Sequence, residues 1–114
     1  MKEFAPDTTT KYTSGAGKSK QVPAESISQT GGVLVIIESK RRGKGLKPGY
    51  GITHCLSGAT LTGERLTNDI DVLKKKARRF WKALTPIQRK TWQTQSDVQM
   101  IRGSVSSLAV RELY

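Results

Sequence analysis

The segment FWKALTPIQRKTW, residues 80–92, decides most of what can be read about the fold. Trp81 and Leu84 close one helix. Thr85 and Pro86 turn the chain, with Thr85 as N-cap and Pro86 at the first helical position, where a missing N–H costs nothing. Gln88, three residues after Thr85, can complete a capping box. Trp92 then returns to the same small core as Trp81, and two large aromatics can stabilise a core that is otherwise thin. The spacing predicts a tight helical corner formed by Trp81, Leu84, Thr85, Pro86, Gln88, Arg89 and Trp92.

Upstream of the corner, Ile70, Leu73, Ala77, Trp81 and Leu84 recur at helical spacing, with Phe80 beside them, which predicts a helix over residues 69–84. Asn68 is its expected N-cap, and Asp71 sits where a capping box would place an acid. The other face carries Lys74, Lys75, Lys76, Arg78, Arg79 and Lys82, and residues 72–96 contain no acid. Downstream, Ile87, Trp92 and Val98 are the expected buried residues of a second helix that reaches about Met100 and ends at Gly103. Ser104 is then expected to cap a third, short helix.

The N-terminal half reads differently. GGVLVIIESK, residues 31–40, holds one clear strand at 33–38, because its β-branched residues fit a pleated, buried surface. Residues 52–62 supply a weaker partner for a β-hairpin. Between them lies a basic, glycine-rich loop with Lys40, Arg41, Arg42, Lys44 and Lys47. Residues 1–31 hold few apolar side chains and two prolines, so they read as an extended or flexible basic arm. The fold class is therefore α+β: an arm (1–31), a β-hairpin (32–66) and a helical region (67–114) of two or three short helices with a small core.

The 114 residues carry 20 Lys and Arg against 9 Asp and Glu, a net charge of +11. That balance favours an anionic partner: nucleic acid, an acidic protein surface or membrane headgroups. No stretch approaches the about 20 apolar residues of a membrane-spanning helix, so a soluble intracellular protein is expected, with no membrane partner.

Motifs for chemistry are incomplete. The stretch SGAGKSK, residues 14–20, resembles the end of a phosphate-binding loop, but Tyr12 stands where its first glycine belongs. Pro23 would also break the helix that such a loop opens. Lys18 and Lys20 are instead expected to hold the arm on a partner. Cys55 is the one cysteine and His54 the one histidine. They are adjacent, so their side chains diverge, and two ligands do not make a zinc site. No nucleophile with its base and no paired carboxylates are legible, so neither an enzyme nor a cofactor is expected.

The corner resembles a module of small proteins from tailed bacteriophages and prophages, in which a helix ending in W-x-x-L-[ST] is followed by a proline or small residue and Q-R-x-x-W. The resemblance covers about residues 69–110. It implies a structural protein of the virion, assembled in the host cytoplasm. A minor capsid or decoration (cement) protein is expected, present in multiple copies. Its partners would be the major capsid protein, other virion proteins, or packaged DNA. In that reading the arm wraps neighbouring subunits and the 33–38 strand extends a neighbour's sheet.

Trp81, Leu84, Thr85, Arg89 and Trp92 also fit the pattern of HMG boxes. That fold needs a long first helix, and residues 43–63 hold six glycines and a proline. The alternative function is a small basic nucleic-acid-binding protein, phage-encoded or ribosome-associated. Its contact residues would be the cations of 40–47 and 74–82.

Overall fold

The apolar run at 33–37 becomes the centre of a four-stranded antiparallel sheet in the computed structural model, which describes residues 4–13, 17–39, 49–61 and 69–107. The strands are β1 (Thr8–Thr13), β2 (Ser19–Ser26), β3 (Leu34–Ser39) and β4 (Gly49–His54), paired in sequence order. Three helices follow: α1 (Ile70–Ala83), α2 (Pro86–Thr94) and α3 (Val98–Ser107). The expected α+β class is the observed one.

The run 33–37 is buried along its whole length because both faces of β3 are covered. Leu34 and Ile36 join the main core with Ile27, Val33 and Ile52 and the inner side chains of the helices. Val35 and Ile37 form a second cluster with Ala24, flanked by Tyr12, Val22 and Cys55. The partner strand begins earlier than expected. β4 starts at Gly49, and residues after His54 turn and come back, with Thr53 bridged to Thr60.

Residues 8–26, expected as an arm, are extended but paired into the sheet. Thr13 lies opposite Ser19 and Thr8 opposite Ala24, and β2 continues onto β3 through Ala24↔Ile37 and Ser26↔Val35. Few apolar groups are needed because backbone pairing, β-branched threonines and polar ties hold this hairpin. The Asp7 carboxylate accepts from the Ser26 N–H (2.9 Å) and hydroxyl (2.6 Å). The Ala5 N–H donates to Glu25 Oε1 (2.7 Å). Pro23 is accommodated because β2 pairs with β3 only over residues 24–26, leaving the proline with a strand on one side. The strand at 34–39 is interior to the sheet, so it has no open edge with which to extend a neighbour's.

Hydrogen bonding continues beyond β4. His54 N–H donates to Ala59 O and Leu61 N–H to Ile52 O, while Thr13 N–H donates to Gly58 O (2.9 Å). The turn after β4 therefore reaches back to the end of β1. Gly58 makes this possible: its φ is +77°, and a Cβ there would lie 2.7 Å from Thr13 Oγ1 and 2.8 Å from Thr13 N.

α1 lays Ile70, Leu73, Ala77, Phe80 and Trp81 on the sheet, the stripe read from the sequence. Its N-cap is Asp69, whose carboxylate accepts from Val72 N–H, one residue beyond the expected Asn68, itself outside the described residues. The downstream boundaries also differ. α2 stops at Thr94, and a new helix starts because Asp97 Oδ1 accepts from the N–H groups of Gln99 (2.8 Å) and Met100 (3.1 Å). Gly103, expected as a terminator, lies inside α3. Ile87, expected in the core, is 80% exposed, because Pro86 directs the first turn of α2 so that Trp92 faces inward. The segment an HMG box would need as its first helix contains β4 and its returning turn.

Candidate partner-binding surface

The corner is assembled as its sequence implies. Gln88 N–H donates to Thr85 Oγ1 (3.2 Å) and Thr85 N–H donates to Gln88 Oε1 (2.8 Å), a complete capping box with Pro86 in the first turn. Leu84 N–H returns to Trp81 O (3.2 Å). Arg89 locks the two helices together: its Nε donates to Trp81 O (3.1 Å) and its Nη2 to Lys82 O (3.0 Å). These carbonyls belong to the last turn of α1, where acceptors lack an i+4 donor and a cation is also favoured by the helix dipole. Trp81, Leu84 and Trp92 are buried.

Trp92 is the hub. Its ring meets Phe80 at 5.2 Å between centroids and the imidazole of His54 at 5.1 Å, both edge to face. Its carbonyl accepts from His54 Nε2 (2.7 Å). On the other side of the imidazole, Ser57 N–H donates to Nδ1 (3.2 Å), and the Ser57 hydroxyl lies 2.7 Å away. A carbonyl can only accept and an N–H can only donate, so His54 is the neutral tautomer with its proton on Nε2. Burial holds its pKa below the ordinary value, opposed by the Trp92 carbonyl.

The structural role of His54 depends on a residue 38 positions away. The signal nearest to it was Ser57, three residues on in a turn. Cys55 faces elsewhere. Its Sγ donates to Gly32 O (3.3 Å), and burial pushes the thiol pKa up. Among the described residues no group of three or more His, Cys, Asp or Glu is placed to hold a metal.

The cations of α1 divide into two sets. Lys74 pairs with Glu25 Oε2 at 2.5 Å, and that glutamate is buried. Arg78 donates from Nε to Ser28 O (3.3 Å) and from Nη2 to Ser28 Oγ (3.1 Å). These two side chains fasten α1 to the end of β2 and to the turn that follows it. Lys75, Arg79 and Lys82 are exposed. They follow one another at i, i+4 and i+7, so they form a single row with about 6 Å and 4.5 Å between positions along the axis. Among the described residues, none of the three side chains makes a hydrogen bond or ion pair. Lys76 is half-buried beside the row.

Lys18 and Lys20 lie at the other side of the sheet, where the chain enters β2. The strand begins at Ser19, so no helix N-terminus stands behind the Gly-Lys-Ser sequence, and a phosphate-binding loop is not formed. Lys40, Arg41, Arg42, Lys44 and Lys47 lie outside the described residues. No helix among the described residues is long and apolar enough to cross a membrane. No family model, curated protein or solved structure matches the chain.

Proposed function

We propose that this protein is a structural component of a bacteriophage particle, a minor capsid or decoration protein that bridges neighbouring virion subunits. The observation that carries this reading is the corner. Trp81, Leu84, Thr85, Pro86, Gln88, Arg89 and Trp92, the residues of the phage module it resembles, all serve to weld two helices to a sheet. A rigid, small plug with a strongly basic exterior suits a protein that seats on an acidic capsid surface or against packaged DNA. With residues 8–26 paired in the sheet, the contacts are made by the folded surface, and wrapping by that segment is no part of the mechanism. Mass spectrometry of purified particles of the encoding phage tests the reading. The chain is expected at many copies per particle. Its absence from particles that are otherwise complete would overturn the proposal.

A second reading, a nucleic-acid-binding protein, is favoured by one observation: the unpaired row of Lys75, Arg79 and Lys82. Three cations on one helix face can follow a phosphate backbone. On duplex DNA, replacing all three by alanine should flatten the log–log salt dependence of affinity by about 2.7, at roughly 0.9 per phosphate contact. An unchanged slope would remove this reading.

A further inference from the structure

The hairpin β1–β2 places a half-buried aromatic ring and two lysines around one open cavity of about 380 Å³, lined by Tyr12, Lys18, Ser19 and Lys20. Tyr12 and Lys20 are direct cross-strand partners and therefore share a face of the sheet. Lys18 is two residues before Lys20 and lines the same cavity. Tyr12 is anchored from below by the cluster of Ala24, Val35 and Ile37. Ser19 turns its hydroxyl to Thr13 (3.0 Å), a bond that ties the two strands together at the cavity.

Among the described residues, the cavity is lined by two cations and no acid. The acids of this hairpin are at its far end and are engaged: Asp7 with Ser26, and Glu25 with Lys74 and Ala5. Lys20 Nζ sits 5.9 Å from the centroid of the Tyr12 ring, at the outer limit of a cation–π contact. A contact that weak is easily exchanged for an ion pair with an incoming anion.

We propose that this cavity is a subsite for single-stranded nucleic acid, with a base stacked on Tyr12 and the adjoining phosphates held by Lys18 and Lys20. An aromatic platform bordered by cations is the arrangement by which proteins hold unpaired strands without reading their sequence. The volume suits one nucleotide unit, lying at the low end of small-ligand sites. An acidic peptide would satisfy the lysines but offers no planar group for the ring. A duplex offers phosphates but keeps its bases stacked. The subsite is separate from the α1 row and does not depend on it.

The test is fluorescence anisotropy at about 50 mM salt, where phosphate contacts are strongest, using dT and rU 12-mers, a duplex of the same length and an oligoglutamate competitor. The single strands are expected to bind at least about fivefold tighter than the duplex, and Tyr12→Ala to weaken them by at least about fivefold while Tyr12→Phe keeps the affinity. Lys18→Ala changes an exposed side chain outside any strand and cannot unfold the hairpin. It should lower the salt slope on single strands by about 0.7. The tighter of the dT and rU strands names the natural ligand.

The proposal is overturned if Tyr12→Ala and Lys18→Ala both bind as the parent does, or if oligoglutamate displaces the strand with Tyr12 irrelevant. Loss of strand binding only in the Lys75, Arg79 and Lys82 triple alanine variant would leave the α1 reading standing and remove this one. Loss only in the Tyr12 and Lys18 variants would do the reverse.

Discussion

His54 Nε2 donates its proton to the carbonyl of Trp92 at 2.7 Å, and this bond joins the end of β4 to the last turn of the second helix. Ser57 donates to the other ring nitrogen, so protonation would set an N–H against an N–H inside the core. This is the one histidine in the chain. Its pKa is lowered on folding, chiefly by burial. The unfolded chain therefore takes up a proton at higher pH than the native state. Stability from this group is complete above about pH 6.5 and falls as pH drops through that value toward the folded pKa. The slope should approach, at most, about 1.4 kcal/mol per pH unit. Thermal unfolding between pH 7.5 and 5 should show the fall, and His54→Asn should abolish most of it. A midpoint independent of pH from 7 to 5.5 would contradict the neutral, buried assignment.

Trp92 and Ile87 lie five residues apart on the same short helix and should respond oppositely to truncation. Trp92 is 1% exposed and touches both Phe80 and His54, so Trp92→Ala should cost about 3–5 kcal/mol. Ile87, 80% exposed, should tolerate alanine within about 0.5 kcal/mol. Urea unfolding of both variants measures the difference.

Two glycines are held by their neighbours as well as by their backbone angles. At Gly58 a methyl group would meet the backbone nitrogen of Thr13, which cannot yield without breaking the bond from β1. At Gly31, with φ +63°, it would lie 2.8 Å from Cζ2 of the Trp81 ring. Gly58→Ala should cost about 3 kcal/mol and Gly31→Ala about 2 kcal/mol, combining backbone strain with a steric clash. Amide exchange should locate the loss of protection at Thr13 in the first variant and near Trp81 in the second.

Adjacent lysines on α1 provide a sharper contrast. Lys74→Met leaves Glu25 buried without its cation and should destabilise by about 3 kcal/mol. Lys75→Met removes an exposed charge and should stay within about 0.5 kcal/mol. Equal effects in denaturant titration would mean that the ion pair contributes nothing beyond a surface contact.

The boundary between the legible and the illegible runs between local and distant partners. The corner could be read because a capping box and a helical stripe involve residues three or four apart, as with Thr85 and Gln88. Lys74 and Lys75 could not be told apart, because only the sheet decides which lysine meets Glu25, 49 positions earlier. The hairpin of residues 8–26 was obscured for a related reason. Its threonines and serines contribute little apolar signal, and its stability comes from pairing with β3 and from the polar ties of Asp7 and Thr13. The boundary between α2 and α3 is marked in the sequence by Asp97, which accepts from the N–H groups of Gln99 and Met100, but no glycine or proline stands beside it to interrupt a helical reading.

The α+β class, the buried run at 33–37, the inner stripe of α1 and the Thr85–Pro86 turn are all legible in the amino-acid order, since each follows from side-chain period or from a cap a few residues long. It takes the folded chain to make His54 a core residue, to seat the turn after β4 against β1 at Gly58, and to leave Lys75, Arg79 and Lys82 exposed while Lys74 and Arg78 are engaged. Those assignments need partners brought together across the chain. Burial, hydrogen-bond satisfaction and charge pairing act through space, and sequence distance carries little information about them.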